Sequence, residues 1–363
     1  MKNRSKDLRV LAGDYLSEIH TLAQNPFTIM EVCGTHTVAI TKNAIRELLP
    51  ASIRLISGPG CPVCVTDSSD IDRYLYLAAQ PNVITATFGD MIRVPGTEKT
   101  LQVLRAEGAD IRIVYSTQDA LELARKNPDK EVAFLGIGFE TTIPTVAVSL
   151  ETAKYEGITN YSVLSMHKVV PPVLRLLAED DALVVDAFLD PGHVCSIIGI
   201  EPLEFMAKDY GLPGVVTGFS ALDILEAIVM LLRQRAEGRS EIEIQYNRVA
   251  KAEGNPHAKR FIERVFEPVD ALWRGIGLIR QSGLGIREEY GAWDAARKFT
   301  LPIFESKETP GCRCGDVLKG LIYPIQCPLF GKRCTPMKPV GPCMVSSEGS
   351  CAAYHRFVLR SVN

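Results

Sequence analysis

IRLISGPGCPVCVTDSSDIDRYLYLAA, residues 53–79, contains one complete strand-to-helix unit with two cysteines at its turn. IRLIS (53–57) is a short β-branched apolar run, and SSDIDRYLYLAA (68–79) is an amphipathic stretch opened by residues that cap helix N-termini. The GPGCPVCVTD between them has too much Gly and Pro to continue either element. A strand, a tight polar turn and a helix make the first half of a βα unit, and the pattern recurs along the chain.

Further strand candidates are NVITATF (82–88), IRIVY (111–115), VAFLGI (132–137), SVLSM (162–166), LVVDAF (183–188) and GVVTG (214–218). Helix candidates lie between them at LQVLRAEG (101–108), TQDALELARKN (117–127), TTIPTVAVSLETAKYEG (141–157) and ALDILEAIVMLLRQRAEG (221–238), several closed by Gly. The expected class is α/β: seven strands at this spacing could form one sheet, but a split into two parallel-sheet α/β halves near residue 130 suits the length better, followed by a small irregular cysteine-rich end. Expected boundaries are an N-terminal helix over 1–25, α/β domains over 26–128 and 129–238 meeting at the polar turn KNPDK (126–130), and a helical and Cys-rich region over 239–363. KRFIERVFEPVDALW (259–273) reads as a charged helix. The N-terminal helix carries Leu8, Leu11, Tyr15, Ile19 and Leu22 at helical spacing, so it is expected to dock by one face.

A chain of 363 residues with 46% hydrophobic and 23% charged residues can bury two or three cores. Its net charge of −3 suggests neither nucleic acid nor an anionic membrane as a partner. The first residues carry charges throughout and lack the apolar core of a secretory signal, and no apolar run approaches a membrane span. A cytoplasmic location is expected, where thiols stay reduced unless they bind metal or do redox work.

Cysteine placement carries the chemistry. MEVCGTHT puts Cys33 and His36 after a short apolar run, and SGPGCPVC puts Cys61 and Cys64 after a strand and before a helix. A C-x-x-C at a helix N-terminus favours thiolate, through unsatisfied N–H groups and the helix dipole. In an open parallel sheet the loops after the strands share one edge. If the runs before Cys33 and Cys61 are neighbouring strands, the three thiols converge into a site for soft metals. The plain alternative is a pair of cysteines buried in a Gly-Pro turn. GIGFETTIPTVA (136–147) places Glu140 at another strand end, as a cleft acid or base or as a carboxylate answering a helix dipole. MHKVVPP (His167, Lys168) and DPGHVCSIIG (Asp190, His193, Cys195) add polar groups to the same expected edge.

Six of the ten cysteines lie in the last fifth of the chain: Cys312, Cys314, Cys327, Cys334, Cys343 and Cys351. Their intervals of one, twelve, six, eight and seven residues match neither a ferredoxin run nor a zinc ribbon. Four thiolates hold a cubane cluster, so six leave a spare pair able to couple one-electron to thiol chemistry. A zinc- or disulfide-stapled tail is the structural alternative.

Taken together, MEVCGTHT, SGPGCPVC, GFETTIPT, MHKVVPP, PGHV and CPLFGKRCTP with GPCMVSSEGSCAAY resemble the HypD family of [NiFe]-hydrogenase maturation proteins, over residues 30–355. The resemblance implies a complex with the small chaperone HypC, on which the Fe(CN)2CO group is built before transfer to the hydrogenase large subunit, with cyanide from HypE and HypF. It implies two parallel-sheet α/β domains flanking a cleft, plus a small C-terminal iron–sulfur domain, with a cleft site of Cys33, Cys61 and Cys64, which hold the iron, and His36 and Glu140 nearby. It also implies a [4Fe-4S] cluster. By likeness to ferredoxin–thioredoxin reductase, the ligands would be Cys312, Cys327, Cys334 and Cys351, and Cys314 and Cys343 the redox pair. Cys195 and the segment VTGFSALDIL (216–225) depart from the family pattern and receive no role. On this reading the protein is a scaffold with redox capacity more than a turnover enzyme. The rival readings are a cluster-dependent thiol–disulfide oxidoreductase and a structural metal-binding protein.

Overall fold

The computed structural model describes residues 2–180, 182–307 and 309–359, with side chains from Leu8 onward. Its strands are β1 (Phe27–Glu31), β2 (Ile53–Ser57), β3 (Val83–Thr87), β4 (Asp110–Ile113), β5 (Glu131–Gly136), β6 (Tyr161–Ser165), β7 (Ala187–Pro191), β8 (Gly214–Thr217), β9 (Ile242–Ile244), β10 (Phe266–Trp273) and β11 (Gly277–Ile286). They form a five-stranded sheet of order β2-β1-β7-β8-β9, a four-stranded sheet of order β4-β3-β5-β6 and the ribbon β10-β11. Every pairing in the two larger sheets is parallel, and the ribbon is antiparallel.

Both sheets are buried on two faces, so their strands read as nearly continuous apolar runs. In β1, Phe27 and Ile29 face a core shared with Ile19 and the helix Ala221–Glu237, while Met30 faces the core between the sheets. In β3, Val83 joins that central core, and Ile84 and Ala86 turn to the other face. The central core continues through Trp273 of the ribbon to Cys314 and Cys343, so the cysteine-rich end packs on the α/β body.

The α/β class and the pair of parallel sheets agree with the sequence reading, but the expected boundary between 128 and 129 does not. It falls inside the four-stranded sheet, where β3 pairs directly with β5 across it. The four-stranded sheet is an insertion between β2 and β7 of the other sheet. Two further corrections concern single elements. The expected helix over 259–273 ends at Val265, and Phe266–Trp273 is a strand. Pro268 cannot donate an interior helical bond, whereas a two-stranded ribbon tolerates it. LVVDAF was expected to be a strand over 183–188, but β7 begins at Ala187.

Of the expected segment 1–25, Met1 lies outside the described residues; the helix runs Lys2–Leu22 and packs on Ala221–Glu237. Ile19 is fully buried, with Ala12, Tyr15, Leu16 and Leu22 partly covered, whereas Leu8 and Leu11 remain exposed. Among the described residues no helix is long and apolar enough to cross a membrane.

Candidate functional site

In the five-stranded sheet the chain passes from β1 to β2 on one side and places β7 on the other, so the strand order reverses at the β1/β7 seam. Ligands bind outside the C-terminal strand ends at such a seam. Cys33 sits there, two residues past β1, as N-cap of the helix Gly34–Lys42. β1 and β2 are neighbours in register from Phe27 against Ile53 to Glu31 against Ser57, as the convergence argument required.

The Cys33 and Cys61 loops touch backbone to backbone. Gly34 N–H donates to Gly60 O at 3.0 Å, and a Cβ on Gly60 would lie 2.2 Å from Cys33 N. Only glycine permits this approach. Cys61 caps the short helix Pro62–Val65, and its sulfur accepts from Cys64 N–H at 3.2 Å. Cys61 and Cys64 are joined as a disulfide, Cα to Cα 5.2 Å. The C-x-x-C therefore stands beside Cys33 in oxidised form, not as the pair of thiolates expected from the sequence. Among the described residues no three His, Cys, Asp or Glu side chains are grouped to hold a single metal ion.

Burial first, and the Glu348 carboxylate second, push the Cys33 thiol up to about 12. Glu348 comes from the cysteine-rich end and accepts from Thr35 Oγ1 at 2.8 Å, 313 residues away in sequence. Spacing gave no signal for it. Buried Glu31, raised by burial to about 7, accepts from Cys33 N–H at 3.2 Å and from the Thr37 hydroxyl, fixing the loop from beneath.

His36 does not offer its ring freely. Nε2–H faces the carbonyls of Thr217 and Gly218 at 3.1 and 3.0 Å, so Nδ1 carries the lone pair, buried and unpartnered. Burial lowers its pKa to about 4, which keeps it neutral. The ring stacks on Phe219, which also lies tilted against His193, centroids 4.0 Å apart. Residues of VTGFSALDIL thus form the wall behind His36.

Glu140 follows β5 on the other sheet. One carboxylate oxygen accepts from Val170 N–H at 2.8 Å, and the other is buried without a partner. Burial raises its pKa to about 7. Both oxygens of Asp190, at the end of β7, are buried and unpartnered, and burial raises this group to about 8. Cys195 is fully buried, and the charges of Asp190, Glu140 and Cys33 all act on it. Buried groups from the strand ends of both sheets therefore act on one another around Cys195.

His167 and Lys168 stand apart from this cluster. Lys168 is buried with its ammonium 3.5 Å from Asp70, and His167 Nδ1 lies 3.0 Å from Ser165 Oγ, under the β10-β11 ribbon.

All six C-terminal cysteines line one small cavity. Thiol contacts run from Cys312 to Cys314, Cys314 to Cys343 and Cys343 to Cys351. Backbone N–H groups of Val340 and Cys351 donate to the sulfurs of Cys334 and Cys343, each at 3.3 Å. Six soft donors around one enclosed space suit an iron–sulfur cluster, whose several irons need thiolates spread wider than one ion does. The short helix Pro342–Met344, carrying Cys343, packs on Pro62–Val65, carrying Cys64. Arg274 bridges the same junction. Its N–H donates to Val65 O and its Nε to Thr66 O, both at 2.9 Å, while buried Nη2 has no partner.

A sequence model of the family HypD, described as the hydrogenase formation hypA family, matches residues 10–358. The chain belongs to the HypD family. It is 46% identical over 345 residues to the hydrogenase maturation factor HypD of Rhodobacter capsulatus, covering 94% of this chain and 92% of that one. It is 45% identical to the HypD of Escherichia coli, covering 94% and 92%. A putative hydrogenase expression/formation protein of Methanocaldococcus jannaschii is 42% identical, with coverage of 96% and 98%. Matches of this length place the HypD motifs of both sheets and of the cysteine-rich end in one continuous family relationship.

Proposed function

We propose that this protein acts in hydrogenase maturation as the scaffold on which the Fe(CN)2CO group is assembled, and that its cysteine-rich end supplies the electrons. The reading includes a complex with HypC, cyanide delivery by HypE and HypF, and transfer to the hydrogenase large subunit. One observation carries it: Cys33, the Cys61–Cys64 disulfide and Cys343 lie on successive segments in direct contact.

The iron group is the substrate here. Cys33 binds it by losing a proton that burial otherwise holds on the thiol, so loading releases acid. Reduced Cys61 and Cys64 supply two more soft donors, suited to the low-valent iron that CO and cyanide stabilise. To reach that state, a thiolate of the Cys314/Cys343 pair displaces one sulfur of Cys61–Cys64, and its partner then closes the Cys314–Cys343 disulfide. Two electrons and two protons pass to Cys61 and Cys64, and no other reagent is consumed.

Cys312, Cys327, Cys334 and Cys351 are the residues that would hold a [4Fe-4S] cluster, which when bound supplies single electrons. Infrared spectroscopy and iron analysis of the complex purified anaerobically with HypC test the reading. CO and cyanide bands, with iron beyond about four per chain, are expected. A loaded complex without those bands would end it.

The Cys61–Cys64 disulfide also favours a second reading, a thiol–disulfide oxidoreductase. That reading requires turnover on a protein disulfide without HypC or iron, which the scaffold reading does not.

A further inference from the structure

Residues 317–347 carry Lys319, Lys332, Arg333 and Lys338 and no carboxylate, in a chain whose net charge is −3. Three of these cations are gathered at the tips of two consecutive tight turns on either side of Cys334. In the first, Cys334 N–H donates to Leu329 O at 2.9 Å and Gly331 N–H to Cys334 O at 3.0 Å, with Gly331 at φ +68°. Lys332 and Arg333 are exposed at its tip. In the second, Thr335 and Lys338 exchange backbone bonds at 3.2 and 3.0 Å, leaving Met337 92% exposed beside exposed Lys338. Arg93 donates to Pro336 O at 3.0 Å, which pins this turn to the four-stranded sheet's domain and adds a fourth cation. None of Lys332, Arg333 and Lys338 has a carboxylate partner among the described residues.

Directly beneath these tips lies the cysteine cavity. Cys334 lines it together with Cys327, Phe330 and Met344. The cations are held by backbone bonds, so they are fixed in place and need little ordering when a partner arrives. Nothing inside the cavity requires them, since the sulfurs receive backbone N–H groups instead. An unpaired basic rim around an exposed methionine, over a thiol-lined centre, matches the small, charge-steered encounters of electron-transfer proteins.

We infer that the face formed by Lys332, Arg333, Met337 and Lys338 docks an acidic protein that carries single electrons, and that this carrier reduces the cysteine-rich centre. The inference rests on the cluster reading given above. Each encounter moves one electron from the reduced carrier, which leaves oxidised. Two encounters, with two protons from water, convert one disulfide of the chain into two thiols. Charge brings the carrier to the surface over Cys334, one of the residues that line the cavity. The opposite route, through the Cys33 cleft, belongs to the iron group.

The test uses the full chain purified anaerobically, a plant-type [2Fe-2S] ferredoxin as the acidic probe and a basic c-type cytochrome as its counterpart. Ferredoxin binding is expected at low salt and should weaken at least tenfold at about 0.5 M salt, where the Debye length is only about 4 Å. The variant Lys332→Glu/Arg333→Glu/Lys338→Glu should weaken binding and slow one-electron reduction by ferredoxin at least tenfold, and should gain affinity for the cytochrome. Its iron content and melting temperature should match those of the unaltered chain, because all three side chains are exposed. The control Lys126→Glu/Arg280→Glu, at exposed sites on other elements, should leave binding unchanged.

Equal affinity in the triple variant and the parent would overturn the proposal, as would an equal loss in the control. Self-association abolished by the triple variant would make the face a contact between copies of the chain and likewise overturn it. Absence of cluster iron from the parent would remove the cofactor reading, while the binding comparison would still decide the docking face.

Discussion

Gly60→Ala is the sharpest perturbation of the cleft, because it acts on the contact that brings Cys33 to the C-x-x-C. The added methyl would meet Cys33 N at 2.2 Å and Cys33 Cα and Val32 C at 2.4 Å. All three are backbone atoms, so no side chain can swing aside. Ordinary contact begins at 3.4 Å, so the two loops must part by roughly 1 Å. The 3.0 Å bond from Gly34 N–H to Gly60 O would then stretch beyond hydrogen-bonding range. Overpacking of this kind costs about 1–3 kcal/mol and the lost bond about 1 more. For a chain of this size, whose unfolding entropy is roughly 0.76 kcal/mol/K, that corresponds to a melting temperature lower by about 3–5 °C. Scanning calorimetry gives the shift, and alkylation of Cys33 in the native protein reports whether the loop has lifted; faster alkylation is expected. Gly13→Ala provides the contrast, since nothing lies within 4 Å of its added methyl and it sits inside the helix Lys2–Leu22. That variant should be neutral or stabilising by up to about 1 kcal/mol. If Gly60→Ala melts within about 1 °C of the parent with unchanged Cys33 alkylation, the loops are not in contact and the shared site dissolves.

Cys33→Ser should fold, keep any cluster absorption and bind HypC, yet lack CO and cyanide infrared bands, because a hydroxyl is a poor substitute for thiolate at low-valent iron; parent-strength bands would take Cys33 out of the site. Ala at Cys327 or Cys334 should remove about four iron per chain, whereas Ala at Cys314 or Cys343 should retain it and abolish a disulfide. Equal iron loss from all four variants would erase the division into ligands and redox pair. Asp190→Asn probes the buried carboxyls by pH. The folded-state value near 8 lies above the ordinary 3.8, so the protonated group contributes stability that is complete below about pH 4 and lost as pH rises through 8. The Asn variant should match the parent near pH 4 and melt several degrees higher near pH 8; parallel curves would show that Asp190 is ionised and paired in solution.

The βα pattern was legible because fully buried parallel strands must be short apolar runs, and β2, β3, β5, β6 and β8 fall within a residue or two of the runs that announced them. Which strands share a sheet was not legible. KNPDK looks like a junction because it is polar and turn-forming, but it serves as an ordinary helix-to-strand turn between Thr117–Lys126 and β5. Pairing is decided by burial on both faces at once, and a strand such as β5 carries the same apolar run whichever sheet it joins. The ribbon was missed because β10 is half exposed, and its mixed charges resemble those of the preceding helix.

The convergence of Cys33, Cys61 and Cys64 was legible for a different reason, since they follow two neighbouring strands whose loops share one sheet edge. Glu348 and Arg274 carried no such mark. Glu348 reaches Thr35 across 313 residues, and Arg274 reaches Thr66 across 208, so neither belongs to a local motif. The C-terminal module packs on the helix Gly34–Lys42 through Ser350–Phe357 and on the start of the β2-to-β3 crossover through Pro342–Met344. That crossover begins with the C-x-x-C. The segment with Cys343 therefore lands on the disulfide it would reduce, and Glu348, five residues further on, lands at the Cys33 mouth on the other side. One docking event thus fixes both Cys343, in the proposed electron source, and the Glu348 carboxylate beside Cys33, the proposed iron-binding thiol. Any substitution that loosens the C-terminal module from Pro62–Val65 should accordingly raise Cys33 reactivity and slow reduction of Cys61–Cys64 together, and separation of those two effects would show that the module serves only one of the centres.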